Sequence, residues 1–150
     1  MIPIIGEEKS WNFIKKICDY CEKNNVDLPG KSFDHYYRSP EVESKYKQWK
    51  NEKHDLINVL FSDDQIINVR LNDFPYHFEP GLIHYVVWLN PKHFNMDSDT
   101  PESRMSKKVK QYVSRFFKDK NYVYFRNEPT YRTISYIPHY HVIVNEVYSL

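Results

Sequence analysis

Leu82-Ile83-His84-Tyr85-Val86-Val87-Trp88-Leu89 is an uncharged run of β-branched, aromatic and aliphatic residues, apolar at both odd and even positions. Successive side chains of a strand point to opposite faces, so this pattern predicts a strand covered on both sides, in the middle of a sheet. Just ahead of it, Glu79-Pro80-Gly81 has the Pro-Gly order of a type II turn, and Asn72-Asp73-Phe74-Pro75 is turn chemistry again. Further upstream, 56–61 and 66–71 read as two strands joined through Ser62-Asp63-Asp64-Gln65, a hairpin that begins the sheet. Downstream, 122–126 and 137–144 read as a last strand pair joined by 127–136.

Helices surround this sheet pattern. Over 8–24, Trp11, Ile14, Cys18 and Cys21 recur at helical spacing until Val26-Asp27-Leu28-Pro29-Gly30 stops them. Ser39-Pro40-Glu41 supplies a capping hydroxyl, a proline at the first helical position and an acid in the first turn. The second helix then runs to about Lys53, with Val42, Tyr46 and Trp49 on one face. Thr100-Pro101-Glu102 repeats the start signal, and Met105, Val109, Tyr112, Val113, Phe116 and Phe117 form the expected buried stripe of a third helix. No repeat, low-complexity tract or linker divides the chain, so 1–150 reads as one domain. The helices of 1–53 lead into the sheet and third helix of 54–150: an α+β fold, mainly an antiparallel sheet with flanking helices.

Composition narrows the functional classes. Hydrophobic residues at 41% and aromatics at 17% supply a core that a disordered chain lacks. Lys and Arg number 21 against 20 Asp and Glu, a net charge of +1, which gives no strong nucleic-acid signal and no affinity for anionic membranes. No stretch approaches the roughly 18 apolar residues of a membrane span, and the first residues lack the form of a signal peptide. A cytoplasmic location is therefore expected. Cys18 and Cys21, the two cysteines, are three apart on a predicted helix and read as buried thiols in a reducing compartment rather than half of a zinc site. The chain contains no alanine while Lys, Asn, Ile and Tyr abound, a bias of AT-rich coding sequence.

The chemistry concentrates in Pro138-His139-Tyr140-His141-Val142-Ile143-Val144. Period-two geometry puts both imidazoles on one face, with Tyr140 and Val142 on the other. Such a pair suits a metal ion or a phosphoryl group, where one ring attacks and the other positions; hydrogen-bonded core histidines are the alternative. His84 is surrounded by apolar neighbours and is expected to be buried; it converges with the pair if its strand lies beside the last one. His35, His54, His77 and His93 receive no role. No acid or cysteine stands beside His139 and His141, so no metal and no cofactor is expected. Arg126, Arg132 and the tyrosines of 127–136 lead into the histidine strand and suit a phosphate or sugar.

In their order along the chain, Phe61-Ser62-Asp63-Asp64, Asn72-Asp73, His84-Tyr85-Val86-Val87, Asn127-Glu128 and His139-Tyr140-His141-Val142 resemble the histidine-triad superfamily of nucleotide hydrolases and transferases. The resemblance departs from the triad in one place, since Ile143 follows the pair and Ile137 precedes it. If Ile143 replaces the last member, His141 matches the family nucleophile, the favoured register; if Ile137 replaces the first, His139 does. The resemblance implies a hydrolase or transferase acting on a nucleotide or sugar-nucleotide phosphate through His141 or His139. Asp73 would hold a ribose or sugar hydroxyl, Asn127 and Ser135 would donate to the phosphate side, Arg132 would bind phosphate, and His84 would support the pair. Triad enzymes are often dimers, which makes a homodimer part of the expectation. A non-catalytic ligand- or metal-binding domain that has lost the third histidine is the alternative. Asn72-Asp73-Phe74-Pro75-Tyr76, Glu79 through Trp88 and Ile137 through Ile143 also resemble blocks of the fungal N-acetylglucosamine-induced protein family, which implies fold kinship rather than a reaction.

Overall fold

A computed structural model describes residues 10–28, 38–52, 55–94, 105–127, 134 and 136–147. Helix α1, Trp11–Asn24, starts where the Ser10 hydroxyl accepts from the Phe13 N–H, and the Glu79 carboxylate accepts from the Trp11 N–H at 2.8 Å. An acid at that end also complements the helix dipole. The helix ends at Asn25, in the left-handed conformation that asparagine tolerates better than most residues. Helix α2, Pro40–Lys50, begins as its sequence predicts, with Ser39 as cap and proline in the first turn.

The segment 56–61 departs from the expected strand. Asp55 accepts from the Asn58 N–H and opens a short helix α3, Leu56–Leu60, followed by a 3-10 turn at Ser62–Asp64. Leu56, Ile57, Leu60 and Phe61 all pack toward Ile137 and Trp88, an i, i+1, i+4, i+5 pattern that only a helical turn can bring to one side.

The sheet has four strands: β1 (Ile67–Leu71), β2 (Leu82–Leu89), β3 (Asn121–Phe125) and β4 (His139–Asn145). They lie in the order β1-β2-β4-β3, each pair antiparallel. β2 and β4 are therefore the inner strands, in keeping with their apolar residues on both faces. Helix α4, Lys107–Phe116, connects β2 to β3 and covers one face, where Val109, Val113 and Phe117 meet Val87, Leu89, Tyr140, Val142 and Val144. Tyr112 and Phe116, expected in this stripe, are exposed; the buried line follows i, i+4, i+8 and is narrower than the sequence pattern. Ser106 caps this helix, while the start signal read at Thr100-Pro101-Glu102 lies outside the described residues. No helix among the described residues is long and apolar enough to cross a membrane.

α1 packs at one end of the other face, through Trp11, Ile14, Cys18 and Cys21 onto Val123, Phe125 and Ile143. Beyond α1, the Leu28 N–H donates to the Arg126 carbonyl at 2.8 Å and forms a short parallel bridge to Asn127, covering the β3 edge. Gly81 ends the β1–β2 connection with φ +94°, a conformation that L side chains rarely adopt, and a Cβ there would meet Val147 Cγ2 at 2.5 Å. Gly81→Ala is expected to cost about 1–3 kcal/mol of stability, read from denaturant midpoints at constant slope. An unchanged midpoint would show that this turn relaxes freely.

Candidate functional site

Cross-strand partners point to the same side of a sheet, so the register assembles the site in rows. Asn68, Trp88 and His139 form one row, and Arg70, Val86, His141 and Phe125 form the next. His84 stands across from Ile143 on that side. The two histidines spaced by two thus share a face, and the pairing of β2 with β4 brings His84 to them. Ring centroids are 5.0 Å apart for His84 and His141, and 5.4 Å for His139 and His141. His84 and His141 are buried, His141 against the rings of both Tyr76 and Phe125. His139 is half-buried against Trp88, with centroids 4.8 Å apart.

Hydrogen-bond direction fixes which nitrogen carries each proton. The Tyr76 backbone N–H donates to His84 Nδ1 at 3.1 Å. A nitrogen that accepts has no hydrogen, so neutral His84 is protonated at Nε2. That Nε2–H lies 2.8 Å from His141 Nδ1, which accepts in turn and leaves the His141 proton on its own Nε2. The Asn127 amide sits beyond it, with Nδ2 3.5 Å from His141 Nε2 and 2.9 Å from the Tyr76 hydroxyl. Because His141 Nε2 is a donor, the amide rotamer with Oδ1 on this side satisfies both neighbours, an exchange of near-isosteric atoms. His139 is set differently. Its Nδ1 is 2.8 Å from the Ile137 carbonyl, which can only accept, so the proton is on Nδ1 and the lone pair of the neutral ring on Nε2.

The electrostatics agree with neutral inner rings. Burial, reinforced by the Arg38 guanidinium, lowers His84 from 6.5 to about 3. Burial also holds His141 well below the ordinary imidazole value, with His84, His139 and Arg38 adding to it. Protonating His84 would place a second N–H against the Tyr76 N–H, which gives the same answer from geometry alone. Burial likewise raises the Tyr76 phenol. Arg38 is held by the Phe74 carbonyl at 2.9 Å, by Glu43 at 3.5 Å and over the Tyr46 ring at 3.9 Å.

Other expected site residues fall variously. Asp73 is exposed in the bend after β1, and its neighbour Asn72 reaches His84 instead, with Nδ2 3.4 Å from Nε2 and Oδ1 accepting from the Phe74 N–H. Arg126 pairs with Asp27 at 2.8 Å. Arg132 and Ser135 lie outside the described residues, as do His35 and His54. His93 meets Asp64 at 3.2 Å, away from the histidine rows. Cys18 and Cys21 are buried free thiols whose pKa values burial raises, the opposite of an activated cysteine. Among the described residues no three His, Cys, Asp or Glu side chains gather as metal ligands.

Tyr76, Asn72, Arg38 and Trp88 escaped the reading of the sequence. The alternation of Phe74, Tyr76 and Phe78 inside a supposed turn was the available signal, since a solvated turn has no use for three aromatic rings at period two.

Comparison with known proteins places this geometry among relatives. The chain is 26% identical to N-acetylglucosamine-induced protein 1 of Candida albicans over 77% of its own length. It spans about half of that protein, 53%. It is 25% identical to the uncharacterized protein YPL067C of Saccharomyces cerevisiae, over 89% of this chain and 77% of that one. The crystal structure of HTC1 superposes with a TM-score of 0.56 at 22% identity, covering 90% of this chain and 84% of that chain, a likeness of fold. Residues 42–145, which hold all four strands and the three clustered histidines, match the family described as protein of unknown function (DUF3605), and the chain belongs to that family.

Proposed function

We propose that this domain cleaves a phosphoester or phosphoanhydride of a nucleotide or sugar nucleotide, with His139 as nucleophile. The observation that carries the reading is the bond from His139 Nδ1 to the Ile137 carbonyl, which directs the lone pair to Nε2. His141, the register favoured by the sequence, carries its proton on Nε2 and spends Nδ1 on His84. Moving that proton would require His84 to protonate Nδ1 against the Tyr76 N–H. His141 and His84 are therefore positioning residues, a neutral pair that fixes the floor beside His139. The order of motifs shared with the histidine-triad superfamily supports the class of reaction and fits either register; with His139 as nucleophile, Ile137 stands in place of the first histidine.

In the reaction, His139 Nε2 attacks phosphorus and the bond from phosphorus to the leaving oxygen breaks. The leaving group takes a proton from solvent. Water then attacks the phosphohistidine, the N–P bond breaks, and the imidazole returns with a phosphate monoester as product. Asp73, exposed in the bend after β1, would accept from a sugar hydroxyl, the role that the resemblance implies. One observation favours a second reading, a ligand-binding domain without turnover. Ile137 and Ile143, the two candidates for the missing triad position, are both fully buried in apolar clusters, so hydrocarbon fills the place of a third imidazole.

The test is hydrolysis of nucleoside phosphoramidates, dinucleoside polyphosphates and sugar nucleotides, with rapid quenching into base and phosphorus NMR to trap an acid-labile phosphohistidine. Wild type should cleave at least one class and show the trapped species, both lost in His139→Ala. Undiminished cleavage by that variant sinks the nucleophile; tight nucleotide binding with no cleavage selects the second reading.

A further inference from the structure

β1 is an outer strand, yet its alternate residues Asn68 and Arg70 point to the histidine side of the sheet. Asn68 is used inside the fold, donating to the Leu60 carbonyl at 2.7 Å. Asn72, next on that side, lies against the His84 ring, its Oδ1 accepting from the Phe74 N–H. Arg70 is different: it is exposed, and among the described residues it makes no hydrogen bond or ion pair. The nearby arginines are already committed, Arg38 to Phe74 and Glu43, and Arg126 to Asp27.

Arg70 shares the row of His141, with Val86 between them. Two strand spacings, about 10 Å, separate the Arg70 and His141 backbones. Val86, the β2 residue between them, has a short side chain and is buried. The row above holds Trp88 and His139, which puts Arg70 diagonally across from the half-buried ring. A guanidinium offers a planar fork of donors matched to two phosphate oxygens, and it stays charged at every working pH. At this distance it meets a group next to the one bonded to His139 Nε2 rather than that group itself.

We infer that Arg70 is the anchor for a second phosphate, so that the ligand is a phosphoanhydride such as a nucleoside diphosphate or its sugar conjugate, in preference to a monophosphate. The assignment rests on His139 as the reacting group and deepens that reading. It does not require Arg70 to touch the reacting phosphorus, which makes it a specificity-determining residue.

Calorimetric titration of the full chain with ADP, AMP and adenosine, at fixed low salt, tests it. Wild type should bind ADP more tightly than AMP. Arg70→Gln should raise the ADP Kd about 10- to 100-fold, the range of a charge-assisted bond to phosphate, and leave AMP and adenosine within about twofold. Arg70→Lys should recover part of the loss, since it restores charge without the fork. Equal weakening of all three ligands, or ADP binding indifferent to the Gln variant, overturns the anchor. So does a wild type that binds none of them. The fate of His139 is judged separately, by the trapped phosphohistidine in wild type and Arg70→Gln: trapping that persists beside an indifferent Arg70 removes this inference and keeps the nucleophile.

Discussion

His139→Ala is expected to lower kcat by about 10,000- to 1,000,000-fold on whichever phosphoanhydride or phosphoester the wild type cleaves. The range spans the loss of a strong acid or base at its lower end and the loss of a covalent nucleophile at its upper end. Stability should change far less. The ring is half-buried, donates to the Ile137 carbonyl and lies against Trp88. Ile137 is buried, so truncation takes a donor from its carbonyl, and about 1–2 kcal/mol is the expected cost. His141→Ala reverses the proportions. It strands the Nε2–H of His84 in a buried site and leaves a cavity beside Tyr76 and Phe125, together worth about 2–4 kcal/mol. Steady-state rates alongside urea midpoints separate the two variants. A His139 variant that unfolds as easily as the His141 variant while keeping its rate would reverse the assignment.

The second large effect is acid sensitivity. His84 titrates near 3 in the folded chain and near 6.5 when unfolded, so between those values the unfolded chain binds a proton that the folded chain refuses. Stability is then complete above about pH 6.5 and falls as the pH drops, at about 1.4 kcal/mol for each unit. At pH 4 the loss from His84 reaches about 3 kcal/mol, and His141, depressed in the same direction, adds to it. Unfolding by urea at pH 7, 5.5 and 4 measures the slope. His84→Gln keeps an acceptor for the Tyr76 N–H and a donor toward His141 but cannot titrate. It should be less stable than wild type at pH 7 and lose less of its stability on acidification. Parallel slopes for the two proteins would show that the buried imidazoles do not govern acid unfolding.

The inner place of β2 and the shared face of His139 and His141 were legible because they depend on local period, whereas the arrival of His84 turned on which strand pairs with the last one. An uninterrupted apolar run has few roles outside the middle of a sheet, and histidines two apart on a strand must share a side. Residues 56–61 were misread because a helix of five residues, Leu56–Leu60, is too short for period 3.6 to separate from a β-rich run; the deciding signal was Asp55 as a cap. Tyr112 and Phe116 were overcounted since apolar character alone does not say how wide a strip the sheet can cover. The site's surroundings were harder. Tyr76 contributes a backbone N–H, which any residue has, and Arg38 reaches the rings from a segment whose sequence carries no mark of its destination. The placement of each proton was legible only once donors and acceptors faced one another.

Helix α1 carries a consequence in time. Its apolar side rests on Val123, Phe125 and Ile143, strands that are synthesised about a hundred residues later. A growing chain exposes Trp11, Ile14 and Cys18 while the strands that receive them are still missing, and it closes the β3 edge only when Asn127 arrives beside Leu28. Contacts so distant along the chain slow folding and prolong the exposure of apolar surface. The floor under the histidines is therefore among the last parts of the molecule to be completed.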